Sequence, residues 1–383
     1  MKKVLFVIPT LGGGGAERVF LHILRHLDRT RFSPKVVLFE RKGELLCDLP
    51  SDIEVIVLKD TEGVYKTYGI VFFKLMRRLS TVFRREKPDI ILSFMWYTNL
   101  ITLLGRMLSR IRCRVVISER YSLSASFEGS LVEFYRRMVI RLFYPFADNI
   151  IVNSKEMGKQ LQKLIYVSEN RISVIYNPVD IVRVIQLSKE EVSHSWFLDD
   201  VPIIIGIGRL SRQKGFNYLM QAIHILAMRG IECRLVLLGT GSEENNLKKL
   251  ASDLGLTDRI QILGFQQNPY QYLAHSTVFM LSSLYEGFPN VLLEALALGT
   301  PSIATRCPTG PEELVTDGVD GVLVPPADEH ALATAIERML SDNALRARLS
   351  EAGKKRSTDF AVEHIVKQYE DVIEGTYTAS AEN

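Results

Sequence analysis

Two glutamates lie eight residues apart in the stretch SSLYEGFPNVLLEALALGTPSIAT, on either side of a Gly-Phe-Pro turn. A carboxylate accepts hydrogen bonds from neighbouring hydroxyl groups, so one of Glu286 and Glu294 could bind a hexose and the other the diol of a ribose. Both could equally be solvated charges, because this spacing alone often occurs by chance. The turn before the helix and the Gly-Thr-Pro end after it make the combined pattern specific.

Two cations stand close together in an earlier segment. Arg209 follows the apolar run PIIIGIG, and Lys214 comes five residues later, where the next helix is predicted to begin. A planar guanidinium and a mobile ammonium beside a helix N-terminus suit a diphosphate, whose negative charge grows as it leaves. The alternative is a pair of solvated loop charges.

Four consecutive glycines precede the first predicted helix in LGGGGAER. The free amides at the start of that helix could bind an anion. A flexible turn is the alternative. No Gly-Lys-Ser/Thr sequence follows, which excludes a P-loop, and Glu17 stands where the dinucleotide fingerprint needs glycine.

The elements that must position these residues alternate along the chain. Short β-branched runs such as VLFVIPT, KVVLF and DIILSF are followed by longer helical patterns, and the rhythm restarts at PIIIGIG after a break at RISVIYNPVDIVRV. This alternation predicts parallel sheets with helices on both faces, in two doubly wound, Rossmann-like domains. A ligand would then bind in the cleft between the facing domains, at the carboxyl ends of the strands.

Composition bounds the class of protein. At 383 residues, with 47% hydrophobic and 24% charged residues, the chain is expected to fold into two domains. Its charge is uneven, because residues 1–185 hold 30 lysines and arginines against 18 acidic residues, whereas residues 186–383 hold 17 against 26. A basic half is typical of proteins with an anionic partner, such as nucleic acid, an acidic membrane surface or a phosphorylated substrate.

The cysteines and the apolar segments favour a cytoplasmic protein. The four cysteines are widely spaced, which predicts neither a zinc site nor a disulfide framework. The N-terminal MKKVLFVIPTL is interpreted as a first strand, since glycines follow it in place of a signal-peptide cleavage site. No apolar run is long enough for a transmembrane helix, so any membrane contact is expected to be peripheral, on the inner face.

The motifs GGGGAER, GRLSRQKG, LLGTGSE, ILGF and EGFPNVLLEALALGTPSIAT occur in this order and together resemble the family-4 retaining glycosyltransferases. The resemblance spans nearly the whole chain and implies the GT-B fold of two facing Rossmann-like domains. Residues 1–182 would form the acceptor-side domain, and residues 183–359 the domain that binds the nucleotide sugar. A C-terminal helix at about 360–376 is expected to pack back on the first domain.

The resemblance also assigns roles to single residues. Glu294 would hold the nucleotide ribose and Glu286 the donor sugar, while Arg209 and Lys214 would bind the diphosphate. We expect Glu286, Arg209 and Lys214 to be catalytic. The full donor-binding set implied by the motifs is Gly13, Gly14, Gly15, Arg209, Lys214, Gly239, Gly264, Phe265, Glu286, Gly287, Phe288, Pro289, Asn290, Val291 and Glu294.

One position departs from the family pattern. Many members carry a histidine after the strand that here reads VVISERY, and this chain has Arg120 beside Glu119 instead. An arginine could bind sugar hydroxyls or phosphate, but it is no base at neutral pH. We expect Glu119, Arg120 and Asn153 on the acceptor side and count Arg120 among the catalytic residues.

The implied reaction moves a hexose or N-acetylhexosamine from a nucleotide diphosphate, with a UDP-sugar favoured, to a hydroxyl of a saccharide acceptor. The resemblance implies that the anomeric configuration is kept, and a polyprenyl-diphosphate-linked saccharide is one expected form of the acceptor. No residue is an obvious covalent nucleophile, which favours front-face attack. No Asp-x-Asp occurs, so we expect no metal requirement, with Arg209 and Lys214 supplying the positive charge.

Three other functions remain open at this point. A GT-B sugar-nucleotide epimerase would need acid and base residues in the N-terminal domain, and a phosphorylase would need a lysine-anchored cofactor. Neither feature is visible in the sequence. A non-catalytic nucleotide-sugar-binding protein would not need the complete set of two cations and two glutamates.

The basic half concentrates its charge beside apolar residues, in FFKLMRRLSTVFRR at 72–85 and FYRRMVIRLF at 134–143. Both segments read as amphipathic helices suited to an anionic membrane. The alternative is that the apolar residues of the first segment belong to the core; these are Phe72, Leu75, Met76 and Leu79. Nucleic acid is not expected, because the aromatic residues do not alternate as a stacking platform would.

Overall fold

The computed structural model describes residues 1–59, 70–120 and 131–377. Its contacts divide the chain into two compact units, residues 1–178 together with 362–383, and residues 179–361. The chain thus enters the second unit four residues before the boundary expected from the sequence, and it returns to the first unit before its last helix.

The first unit is built on a seven-stranded sheet in which every pairing is parallel, in the order β3-β2-β1-β4-β5-β6-β7. The strands are short β-branched and apolar runs, as expected for a sheet covered on both faces. They are β1 Lys2–Ile8, β2 Phe32–Glu40, β3 Glu54–Lys59, β4 Ile90–Phe94, β5 Arg114–Glu119, β6 Asn149–Val152 and β7 Ile172–Val174.

In the described part of this unit, five α-helices lie between the strands: α1 Gly15–His26, α2 Ile70–Glu86, α3 Trp96–Ser109, α4 Leu131–Phe143 and α5 Lys155–Leu164. Helix α1 packs in the core on one face of the sheet, where Phe20 contacts Phe6 and Phe94 edge to face. Helices α2 to α5 contribute to the core on the other face. The two cores make this unit a three-layer α/β structure.

The second unit has a six-stranded parallel sheet in the order β10-β9-β8-β11-β12-β13. Its strands are β8 Ile203–Ile207, β9 Arg234–Leu238, β10 Ile260–Ile262, β11 Val278–Leu281, β12 Ser302–Thr305 and β13 Val322–Val324. The strand order reverses between β8 and β11, which are neighbours in the sheet although they are separated by two intervening strands in sequence. The carboxyl ends of these two strands mark the switch point of the sheet, which is where doubly wound folds bind ligands.

The helices of the second unit are α6 Ile181–Ser188, α7 Phe216–Met228, α8 Glu244–Asp253, α9 Tyr270–Ala274, α10 Asn290–Leu298, α11 Pro311–Leu314, α12 Glu329–Ser341 and α13 Asn343–Ser357. Helix α6 begins within RISVIYNPVDIVRV, the segment at which the alternating sequence pattern breaks. Asp180 caps α6 by accepting a hydrogen bond from the amide of Arg183, and α6 packs against α9 and α10.

The last helix, α14 Val362–Glu374, returns to the first unit and packs against α1. Its apolar face joins the core beside β1 and β4, with Tyr369 fully buried. Glu370 binds Arg31 at 2.7 Å, next to the start of β2. Among the described residues, no helix is both long enough and apolar enough to cross a bilayer.

Candidate active site

The loops after β8 and β11 are joined by hydrogen bonds in the second unit. The amide of Leu284 donates to the carbonyl of Gln213 at 2.8 Å, and the Gln213 side chain donates to the carbonyl of Tyr285 at 2.9 Å. Ser282 Oγ donates to the carbonyl of Lys214, also at 2.8 Å. The two loops therefore form one surface at the carboxyl end of the sheet.

Two glycines allow this close approach. Gly215 has φ +60°, and a Cβ at this position would lie 2.2 Å from the carbonyl oxygen of Ser282. Gly239, after β9, has φ +137°, and a Cβ there would lie 2.0 Å from the carbonyl oxygen of Gly208. Both positions need the conformational freedom and the small size of glycine. The amide of Gly239 also donates to the carbonyl of Gly264 at 2.7 Å, which links the loop after β10 to the same surface.

Lys214 and Glu286 form an ion pair at this surface. Lys214 Nζ lies 2.5 Å from Glu286 Oε1, and the two side chains are only 15% and 8% exposed. Ser283 Oγ donates to the same carboxylate oxygen at 2.6 Å. The pairing compensates two charges that would otherwise be costly in a poorly solvated place. The sequence predicted both residues for the site but did not predict that they bind each other.

The loop after β12 completes the surroundings of Glu286. The hydroxyl of Thr309 donates to the carbonyl of Glu286, and Thr305 donates to the carbonyl of Ser283. Burial, together with the nearby charge of Glu286, raises the pKa of the Cys307 thiol to about 12. Cys307 therefore stays a neutral thiol beside the ion pair.

Glu294 lies in the second turn of α10 and is buried. The hydroxyl of Tyr270, from α9, donates to Glu294 Oε1 at 3.2 Å. Helix α10 begins at Asn290, and Pro289 at its N-cap position supplies no side-chain hydrogen bond. Sequence reasoning missed Tyr270, because nothing in NPYQYLA marks one tyrosine as a partner of a carboxylate further along the chain.

Two predicted donor contacts present their side chains to solvent. Arg209, directly after Gly208 at the end of β8, is exposed. Phe265 is 42% exposed and follows Gly264, whose φ is +72°. An exposed aromatic ring and an exposed guanidinium near the strand ends can meet a base and a phosphate without disturbing the core.

The turn residues between Glu286 and α10 are placed differently from the prediction. Phe288 and Pro289 are buried, and the ring of Phe288 packs 5.6 Å from that of Phe360. These two side chains hold the start of α10 against the core and have no surface for a ligand. Asn290 and Val291 are half-buried at the first turn of the helix. Gly287 lies in a close contact, since a Cβ on Gly310 would come within 2.7 Å of its carbonyl oxygen.

In the first unit, the glycine loop precedes α1 as predicted. Gly14 is the N-cap residue, and Gly13 and Gly15 are exposed. The carboxylate of Glu17 lies against this loop, because a Cβ on Gly14 would be 2.5 Å from Glu17 Oε2. A negative charge at a helix N-terminus is favourable. Nothing in LGGGGAER predicts that Glu17 folds back over the loop.

The structure does not support an acceptor contact by Glu119. Its side chain is fully buried at the end of β5, where it accepts a hydrogen bond from the Tyr144 hydroxyl and lies 3.6 Å from Arg136 Nη2. The amide of Arg120 donates to the same carboxylate at 3.1 Å. Burial and the charge of Glu119 raise the pKa of Tyr144 well above its usual value. Glu119 is thus the charged centre of an internal network.

The guanidinium of Arg120 is likewise hydrogen-bonded within the first unit and is not available to bind a substrate. Its guanidinium donates to Ser118 Oγ at 3.0 Å, to Asn177 Oδ1 and to the hydroxyl of Tyr369, and it stacks 5.4 Å from the ring centre of Phe94. Burial lowers the pKa of Arg120. The catalytic role expected for this residue therefore has no geometric support, since every guanidinium nitrogen has a protein partner.

Asn153 follows β6 and is 2% exposed. Its Oδ1 atom accepts no hydrogen bond from any described residue, and the next residue, Ser154, caps α5 by accepting from the amide of Met157 at 3.1 Å. Asn153 thus lies at the predicted end of the sheet, in the same unit as the glycine loop. Within the described residues there is no group of three His, Cys, Asp or Glu side chains placed to hold a metal ion.

Known proteins share both halves of this arrangement. Residues 13–183 match the family model Glycosyltransferase Family 4, and residues 188–356 match Glycosyl transferases group 1. The chain is 30% identical to the lipopolysaccharide core biosynthesis glycosyltransferase LpsE of Rhizobium meliloti, over 89% of each chain.

A second relative, from Campylobacter jejuni, is N-acetylgalactosamine-N,N'-diacetylbacillosaminyl-diphospho-undecaprenol 4-alpha-N-acetylgalactosaminyltransferase, 29% identical over 94% of this chain and 96% of that one. Among solved structures, Anabaena HepE in complex with UDP-glucose covers 98% of this chain and 100% of its own, with a TM-score of 0.81 at 22% identity. The predicted fold and enzyme class are confirmed: the chain belongs to glycosyltransferase family 4, has the GT-B fold and is a hexosyltransferase.

Proposed function

We propose that this enzyme transfers a hexose or N-acetylhexosamine from a UDP-sugar to a hydroxyl of a lipid-linked saccharide, with retention of the anomeric configuration. The observation that carries the proposal is the joined pair of loops, which holds the Lys214–Glu286 ion pair and the exposed Arg209. The second loop leads into α10, where Glu294 is bonded to Tyr270. The UDP-glucose bound to HepE supports the donor class. The undecaprenol-linked substrate in the name of the C. jejuni relative supports the acceptor class. Such a reaction belongs to the biosynthesis of a surface polysaccharide or glycan.

The donor would be held by groups that match its parts. Glu294 would accept hydrogen bonds from the ribose diol, and Phe265 would cover the base. Arg209 and Lys214 would bind the diphosphate, whose negative charge increases as the bond to the sugar breaks. Because Lys214 is already oriented by Glu286, little reorganisation is needed when the phosphate arrives.

Glu286 suits hydroxyl binding better than nucleophilic attack. Its carboxylate oxygen accepts from Ser283 and Lys214, and both contacts reduce its nucleophilicity while leaving lone pairs for sugar hydroxyls. We therefore propose front-face substitution. The acceptor oxygen bonds to the anomeric carbon on the side from which UDP leaves, the bond to the phosphate oxygen breaks, and that oxygen takes the acceptor proton.

The same two cations are the basis for proposing that no metal is required. A divalent ion commonly neutralises a departing diphosphate, and here one guanidinium and one ammonium can do so. The rate of sugar transfer should therefore be unchanged when EDTA is present.

The proposal is tested by incubating the protein with radiolabelled UDP-hexoses and UDP-N-acetylhexosamines, with and without a bacterial lipid extract. We expect label in the lipid fraction only when the extract is present. Label that appears in a new nucleotide sugar without the extract would establish an epimerase instead. Bound but unchanged UDP-sugar in both arms would establish a binding protein, and a rate abolished by EDTA and restored by Mg²⁺ would refute metal independence.

Calorimetric titration separates the roles of the two glutamates and tests the preference for UDP over GDP and ADP. We expect Glu294→Ala to weaken UDP binding by about tenfold to a hundredfold, since it loses hydrogen bonds to a charged group. Glu286→Ala should chiefly slow transfer. Glu312→Ala is the matched control, because Glu312 is an exposed carboxylate after β12 that pairs with Arg306 at 3.1 Å. If Glu294→Ala and Glu286→Ala both bound UDP and turned over like the wild type, the roles assigned to these two glutamates would be refuted.

A further inference from the structure

Helix α4 turns its large apolar side chains towards solvent. Phe134, Tyr135, Met138 and Leu142 are 64%, 58%, 41% and 56% exposed, and their spacing places them on one face of the helix. The rings of Phe134 and Tyr135 contact each other edge to face. A surface helix of a folded unit normally buries such a face, so this exposed row indicates an interaction site.

The inward face of α4 fixes this orientation. Arg136 is 5% exposed and pairs with Glu119, and Ile140 is fully buried beside Tyr144. If α4 rotated to bury its apolar row, Arg136 would leave Glu119 as an uncompensated buried charge, which is strongly unfavourable. The apolar row is therefore held outside by the network within the unit.

Cations accompany the apolar row on the same helix. Arg137 and Arg141 are exposed, and the Arg141 guanidinium lies 5.5 Å from the ring centre of Tyr166, which is itself 85% exposed. An amphipathic side chain that is apolar near its base and charged or polar at its tip suits an interface between water and lipid. Arg141 and Tyr166 thus extend the apolar row with groups that reach the headgroup level.

Helix α2 lies in the same helical layer and adds positive charge. Leu75 and Leu79 are buried in the core shared with α4. This agrees with the alternative prediction that the apolar residues of this segment belong to the core. The outward side of α2 carries Lys74, Arg77 and Arg84, all exposed. Thus α4 supplies the apolar contacts of this layer, and α2 supplies cations.

We propose that the outer side of the helical layer, in which α3 contacts both α2 and α4, docks together with Tyr166 on a bilayer rich in anionic phospholipid. The apolar row would enter the boundary between headgroups and acyl chains, while the lysine and arginines would meet lipid phosphates. The purpose of this docking rests on the proposed function, because docking would bring the enzyme to a lipid-linked acceptor. A second copy of the chain fits less well, since a twofold contact would place Arg137 and Arg141 against the same residues of its partner.

The test is co-sedimentation of the full-length protein with vesicles. One vesicle type contains phosphatidylcholine alone, and the other contains equal parts of phosphatidylcholine and phosphatidylglycerol. We expect binding to the anionic vesicles only, and release when salt is raised, because surface charge attraction is screened. Binding that is equal for both vesicle types, or that resists salt, would overturn the charge-based part of the proposal.

Two double variants separate the apolar and cationic contributions. Phe134→Ala with Leu142→Ala should weaken vesicle binding by about tenfold or more, since each loses several buried CH₂ equivalents. Arg137→Gln with Arg141→Gln should weaken it by about twenty-five-fold, or roughly fivefold for each charge near an anionic surface. The matched controls come from the second unit. They are Leu198→Ala with Met228→Ala, two highly exposed apolar residues, and Lys248→Gln with Lys249→Gln on α8, and both pairs should bind as wild type.

Transfer to a water-soluble acceptor distinguishes failure of docking from failure of the proposed function. All four double variants should transfer sugar to such an acceptor at the wild-type rate. A wild-type protein that transfers but never sediments with anionic vesicles would overturn docking alone. A protein that sediments but never transfers would overturn the proposed function alone. Analytical ultracentrifugation tests the alternative occupant. If the wild type were a dimer and the variant Phe134→Ala with Leu142→Ala a monomer, the apolar row would bind a second copy of the chain, and docking on lipid would be overturned.

Discussion

At the scale of single residues, the ion pair between Lys214 and Glu286 carries two roles at once. Each side chain compensates the charge of the other, and each is also proposed to meet a part of the donor. Removing one partner therefore changes both the stability of the second unit and its chemistry. The two effects can be separated, because stability depends on charge compensation whereas catalysis depends on the groups themselves.

Lys214→Met should lower the free energy of unfolding by about 3 kcal/mol, because Glu286 is left buried without its counter-charge. The double variant Lys214→Met with Glu286→Gln should recover most of that loss but none of the transfer activity. Urea unfolding and the transfer assay measure the two quantities. If the double variant were no more stable than the single one, charge compensation would not be what the pair contributes to the fold.

At the scale of elements, Arg120 connects three parts of the first unit. It lies at the end of β5, binds Asn177 just before the chain leaves the unit, and binds Tyr369 on the helix by which the chain returns. Tyr369 is fully buried, and burial raises the pKa of its hydroxyl, so this group stays protonated. Arg120 is therefore a structural residue that holds α14 against the sheet.

Arg120→Ala should lower the free energy of unfolding of the first unit by about 3 kcal/mol, since it removes several buried hydrogen bonds, among them those to Asn177 and Tyr369. Arg120→Lys should recover only part of this loss, because one ammonium cannot match the fork of a guanidinium. Urea unfolding measures the free energy of unfolding, and hydrogen exchange of the α14 amides measures how firmly that helix is held. Arg112→Ala, at an exposed position in the same unit, is the control.

The dissociation constant for UDP should stay at the wild-type value in Arg120→Ala. Normal stability combined with lost UDP binding or lost transfer would instead show that Arg120 acts on the substrate.

At the scale of the whole molecule, the two units have separate cores, and each contains one of the two tryptophans. Trp96 begins α3 in the first unit, whereas Trp196 is buried in the second beside Arg234. In Trp196→Phe, the remaining Trp96 reports unfolding of the first unit. In Trp96→Phe, the remaining Trp196 reports unfolding of the second unit.

We expect UDP at about a hundred times its dissociation constant to stabilise the unit reported by Trp196 by about 2.7 kcal/mol. The transition reported by Trp96 should move much less, because the proposed contacts to the ribose, base and diphosphate come from the second unit. Fluorescence during thermal unfolding measures both transitions. An equal shift at both tryptophans would contradict a site formed mainly by the second unit.

Sequence reasoning placed Arg209, Lys214, Glu286 and Glu294 together because strand ends can be located from local patterns. It could not foresee which groups would be buried by distant partners. Phe288 is covered by Phe360, and Arg120 by Tyr369, which lies more than two hundred residues further along the chain. The outward face of α4 was likewise ambiguous, since the helical pattern gives two faces but only the pairing of Arg136 with Glu119 decides which one is inside.

The return of α14 to the first unit has a consequence for synthesis on the ribosome. Residues 179–361 form an uninterrupted unit that can complete its core as soon as they are translated. The earlier unit must wait with part of its sheet uncovered until Val362, Tyr369 and Ile373 are made. The portion of the polypeptide that is translated first is thus the portion that finishes folding last, and a premature stop codon before α14 would damage the N-terminal half most.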